Sequence, residues 1–226
     1  MRSNAATWFV PAAAAVVPPL ATSLGIARRL GHSGGVAVTF DDGPHADGTP
    51  AVLEALARRG ARATFFLVGE QVERRPALAR RIVDEGHEVA VHGHRHTLLL
   101  RRRVRELAGD LDRCVAAIAD ATGIEPTLYR PPYGVFSSGA LAHVRERGFR
   151  PLLWSTWGRD WRRRTTPAEI ARLATRSLRP GDVVLLHDSD AYSSADSWRR
   201  TAAALPAVLD AVAALGVPSV AVTQPT

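Results

Sequence analysis

Seven short apolar runs, rich in β-branched and aromatic residues, alternate along this chain with stretches whose apolar residues recur at helical spacing. The first run occupies 36–44 and stops at Asp41-Asp42 and the turn pair Gly43-Pro44; the others fall at 63–68, 87–92, 127–130, 151–154, 183–187 and 219–222. Helices are predicted between them at 49–59, 76–85, 104–122, 139–147, 167–178 and 198–215. Buried strands joined by short loops and helices must run parallel, because a hairpin can only join antiparallel neighbours. With 226 residues, 46% of them hydrophobic, the chain can bury a full core in one domain. Seven strands favour a closed or nearly closed α/β barrel over a doubly wound sheet.

In parallel α/β folds, chemistry gathers at the carboxyl ends of the strands. Asp41 and Asp42 stand at such an end, although Asp-Asp-Gly-Pro alone describes a turn. The third strand ends in His92-Gly-His-Arg-His96. Its outer histidines are four residues apart, so one helical turn or a tight loop brings both imidazoles to one side. His94 then points elsewhere. One aspartate and two histidines make a three-ligand site for a divalent cation, with room left for water and substrate.

The formal net charge is +7, and all 29 Lys or Arg positions are arginine. A complete absence of lysine reads as a coding bias, and the arginine runs at 101–105 and 159–164 read as solvated faces. No nucleic-acid partner is expected on this basis; a weak attraction to anionic lipid or glycan is better founded. The single Cys114 permits no intrachain disulfide and falls in a helix pattern as a small core residue.

Residues 5–27 carry no charge and are rich in Ala and Val, but Pro11, Pro18 and Pro19 interrupt them and Arg28-Arg29 follow. A cleaved signal, an interfacial anchor and a packed helix all fit this segment. Residues 1–30 are accordingly set apart from a catalytic domain at 31–226, with membrane association through 5–27 and a secreted or membrane-associated location preferred over a cytoplasmic one.

Five ordered motifs identify a resemblance. Thr39-Phe-Asp-Asp-Gly-Pro44, His92-x-x-x-His96, Arg130-Pro-Pro-Tyr-Gly134, Asp160-Trp161 and Leu185-Leu-His187 are similar to the successive motifs of the polysaccharide deacetylases, carbohydrate esterase family four. They extend over nearly the whole chain beyond its N-terminal segment. The resemblance implies a distorted (β/α) barrel of about seven parallel strands and a metal-dependent hydrolase.

It further implies that Asp42, His92 and His96 hold one divalent ion, zinc first, with cobalt or another divalent ion as alternatives. Asp41 would be the general base, Arg130 its orienting partner, and the backbone N–H of Tyr133 a donor to the oxyanion. His187 would be the general acid, kept charged by Asp160. Trp161 and Leu185 would line an apolar slot for the acetyl methyl. Two departures stand out: Gly93 replaces the usual Ser or Thr after the first metal histidine, and Trp157 replaces an additional Asp.

The expected reaction removes an N-acetyl group, less readily an O-acetyl group, from a glycan containing N-acetylhexosamine, releasing acetate. Chitooligosaccharide, peptidoglycan and a lipid-linked sugar are the expected substrates, and a monomer the expected state. A deformylase or other amide hydrolase on the same fold, and a carbohydrate-binding protein without turnover, are the alternatives. The polar stretch 187–194 is expected to shape the substrate pocket.

Overall fold

The computed structural model describes residues 10–223. Its framework is one sheet of seven strands in the order β5-β4-β3-β2-β1-β7-β6, every neighbouring pair parallel. The strands are β1 (Ala37–Asp41), β2 (Ala63–Leu67), β3 (Glu88–Val91), β4 (Leu128–Tyr129), β5 (Arg150–Pro151), β6 (Thr156–Trp157) and β7 (Val183–His187). The sheet curls into a distorted barrel with its helices outside. Every residue of β1 and β2 is buried, as expected of strands covered on both faces.

Register places the site. On β1, Asp41 lies opposite Phe66 of β2 on one side and His187 of β7 on the other. The base and acid candidates are therefore lateral neighbours across one ladder.

Helices at Gly48–Ala57, Pro76–Asp84, Val104–Thr122, Ser138–Glu146, Pro167–Thr175 and Ser197–Ala213 match the expected ones within a few residues. Cys114 is buried within the third of these. Two further short helices are Pro18–Ser23, within the N-terminal segment, and Gly69–Arg74, which follows β2 directly and for which the sequence predicts no helix. The strand at 219–222 is reduced to a single bridge between Val36 and Ser219. Its continuation is diverted because the Val222 N–H donates to Thr64 Oγ1 and Glu88 Oε2, both at 3.0 Å, instead of to a neighbouring strand. The seventh strand is instead the two-residue β6, too short to show any periodicity. The run at 151–154 joins the sheet only at its start, as β5, and continues in a single bridge between Leu152 and Ala27.

Of the N-terminal segment, residues 5–9 lie outside the described residues. Its remainder packs on the barrel: Ala14, Ala15, Ala21 and Ile26 belong to the same core as the strands. Arg28 donates to the Ala14 and Ala15 carbonyls at 2.8 and 2.7 Å, and Ala27 bridges to Leu152 beside β5. No helix among the described residues is long and apolar enough to cross a membrane.

Candidate active site

Along an ordinary strand Asp41 and Asp42 would face opposite sides. The chain escapes that alternation because Asp42 takes a left-handed conformation, φ 79°, which an aspartate tolerates better than most residues. Both carboxylates thereby face one cleft of about 220 Å³, together with His92, His96, Tyr133, Trp161, Leu185 and His187. Arg130 and Asp160 are fully buried behind that wall. Every site residue named from the sequence thus lies in or directly behind one cleft.

At its floor, Asp42 Oδ1 stands 3.4 Å from His92 Nε2 and 3.2 Å from His96 Nε2. That oxygen is buried and has no hydrogen-bond partner among the described residues, a costly state for a carboxylate unless a ligand completes it. Two ligands held about 2.0–2.1 Å from a tetrahedral zinc are separated by about 3.3 Å, which these distances match. Burial alone would raise the Asp42 carboxyl, but His92, with the charges of His187 and His96, holds it down at about 2. Burial pushes His96 down to about 4. Both groups are therefore ready as ligands at neutral pH. The chain's residues fit a divalent cation here.

His92 is fixed from behind, since its Nδ1 lies 2.8 Å from the Arg130 carbonyl oxygen. Donation of the Nδ1 proton to that oxygen leaves the Nε2 lone pair aimed at Asp42. His94 turns away, as expected, with Nε2 3.8 Å from Glu73.

Asp41 is held differently. Its Oδ1 accepts from Arg130 at 2.6 Å. The same guanidinium donates to Thr39 Oγ1 and to the carbonyls of Leu152 and Leu153, and lies 3.9 Å over the Phe66 ring. Across the cleft, His187 Nδ1 donates to Asp160 Oδ1 at 2.9 Å. Burial would depress that imidazole, but Asp160, with Asp42 and Asp41 behind it, lifts it to about 10.

Three lining residues lie outside the motifs, Trp154, Tyr192 and Ser193, and Trp157 joins them at the position where the motif usually has an Asp. Trp154, Trp157 and Trp161 form a continuous aromatic wall with successive ring centroids 5.5 and 5.3 Å apart. The Trp161 ring meets His187 edge-on. Tyr192 comes from the polar loop after β7, so the unusual composition of 187–194 was the only signal of its presence.

The chain is similar to known proteins in sequence and in fold. The family profile described as Polysaccharide deacetylase matches residues 30–152. The chain is 34% identical over 192 residues to a peptidoglycan-N-acetylglucosamine deacetylase of Bacillus cereus, covering 84% of this chain and 86% of the relative. With the peptidoglycan-N-acetylglucosamine deacetylase of Listeria monocytogenes it shares 34% identity over 153 residues, 68% of this chain but 32% of that protein's length. Its fold matches a family 4 carbohydrate esterase from Streptomyces lividans, solved in complex with acetate, with a TM-score of 0.74 at 33% identity, covering 82% of this chain and 91% of that one. The family profile, the near full-length identity to the Bacillus relative and the shared fold have one reading: this chain belongs to the polysaccharide deacetylase family.

Proposed function

We propose that the chain is a metal-dependent deacetylase that hydrolyses the N-acetyl group of a glycan containing N-acetylglucosamine. The observation that carries this reading is the division between two adjacent carboxylates. Asp42 points an unsatisfied oxygen at two imidazole nitrogens, while Asp41 is clamped by a buried arginine. A binding module has no use for that difference.

Asp42, His92 and His96 hold the cation, zinc by preference. When bound, it polarises the acyl carbonyl and acidifies water. Arg130 occupies Asp41 Oδ1, which leaves Oδ2 to take the proton of the attacking water. The carbonyl carbon becomes tetrahedral, and the backbone N–H of Tyr133 is the protein's donor to its oxyanion. His187, with Nδ1 committed to Asp160, offers its Nε2 proton to the departing amine. Water is consumed, the C–N bond breaks, and acetate and a free amine leave. Trp161 and Leu185 exclude water around the acyl methyl.

The test is incubation of the zinc-loaded protein with chitooligosaccharide and with peptidoglycan, scoring acetate and formate separately. Acetate release supports the proposal. Formate from N-formylated sugars without acetate would move the assignment to a deformylase, and binding without either product to a carbohydrate-binding protein.

A further inference from the structure

The two histidines of the metal site are held by different means. His92 has a carbonyl behind it. His96 has nothing equivalent: its Nδ1 is buried and has no hydrogen-bond partner among the described residues. Metal-binding histidines nearly always have their second nitrogen fixed by an acceptor, which sets the ring's rotation as well as its tautomer. Some other contact must orient this ring.

Tyr192 supplies one. Its ring stacks on His96 with centroids 4.4 Å apart and planes 14° from parallel, while Tyr133 meets the imidazole edge-on at 4.5 Å. Tyr192 is itself anchored outside the cleft. Its hydroxyl donates to Glu70 Oε1 at 2.6 Å and accepts from Gln71 Nε2 at 3.0 Å. Glu70 and Gln71 open the helix Gly69–Arg74 after β2, whereas Tyr192 rides on the loop after β7. The tyrosine therefore straps one side of the barrel mouth to the other across the end of β1, with His96 beneath it.

We infer that Tyr192 is a positioning residue that replaces the missing hydrogen bond of His96, fixing that ligand for the cation by stacking. This rests on the metal-site reading of Asp42, His92 and His96. A ring free to rotate about its last torsion must be ordered when metal binds, so loss of the strap lowers affinity before it touches the chemistry.

The experiment measures zinc affinity of the full chain by competition with a chromophoric chelator, and records the visible spectrum of the cobalt-substituted protein. Tyr192→Ala should weaken zinc binding about 10- to 100-fold, the usual cost of losing an outer-shell partner, and change the cobalt spectrum. Glu70→Ala leaves the cleft wall intact and removes the acceptor of the Tyr192 hydroxyl, and Gln71→Ala made with it removes the second anchor as well; the pair should weaken zinc binding several-fold with KM unchanged, and Glu70→Ala alone by less. If Tyr192→Ala does not fold, the double variant decides. Wild-type affinity and an unchanged cobalt spectrum in Tyr192→Ala and the double variant, or a rise in KM alone, would overturn the inference while leaving the metal site standing. A wild-type protein that takes up no stoichiometric metal would overturn the metal site itself.

Discussion

Asp160 grips His187 at two points: Oδ1 receives the ring Nδ1 proton at 2.9 Å, and Oδ2 accepts from the backbone N–H of the same residue at 2.7 Å. Thr201 donates to Oδ2 as well, at 2.8 Å. One carboxylate thus sets both the position and the charge of the proposed acid. Asp160→Asn keeps the shape and removes the charge, so kcat should fall about 10²- to 10⁴-fold, the range for losing a general acid. In chelator-treated protein, NMR titration should show the His187 pKa well below the wild-type value of about 10.

The same pair makes stability depend on pH. His187 is raised from an ordinary 6.5 to about 10. A raised imidazole contributes stability that is complete below the unfolded value and is lost as pH climbs through the folded one. Metal-free wild type should therefore lose stability between about pH 6.5 and 10, and Asp160→Asn should lose less over that interval. Urea unfolding at stepped pH measures both.

Asp41→Asn and His92→Ala should separate base from ligand. Both should abolish acetate release. Metal analysis after dialysis should find near-normal zinc in Asp41→Asn and a large loss in His92→Ala. Full activity in Asp41→Asn would remove the residue from its assigned role.

Arg130 should matter to folding as much as to rate. Arg130→Leu leaves Asp41 buried without its counter-charge, a change expected to cost about 3–5 kcal/mol. Arg130→Lys should recover only part of that in urea unfolding, since one ammonium cannot reproduce the planar fork that serves Asp41, Thr39 and two carbonyls.

Gly48 is confined by its neighbours. A Cβ there would stand 2.1 Å from the Asp188 carbonyl oxygen and 2.9 Å from Trp198 Cβ, so the loop after β7 must shift to admit it. Gly48→Ala should destabilise the protein by about 1–3 kcal/mol, as overpacking does, and lower activity through the displaced loop. Calorimetry and acetate assay check the two effects together.

The strands most legible in the sequence were those buried along all or nearly all of their length. Residues 37–41, 63–67 and 183–187 read as apolar runs because helices and barrel interior cover both faces. Thr156–Trp157 was not legible, since two residues carry no period, and 219–222 misled because its apolar composition serves packing while its amide at Val222 goes to side chains. Among site residues, those carried by motifs were named in advance. Tyr192 was not, because its role arises from a stacking partner nearly a hundred positions away, a relation that only the curled sheet creates.

Arg130 joins the ends of β1 and β4 to the chain beyond β5, and its charge is balanced by the residue proposed to take the proton in catalysis. Turnover and architecture consequently draw on one buried pair. A descendant that abandoned catalysis by exchanging Asp41 would inherit an uncompensated guanidinium in its core. Exchange of Asp41 therefore costs the fold as well as the reaction, on the scale of an unpaired buried charge.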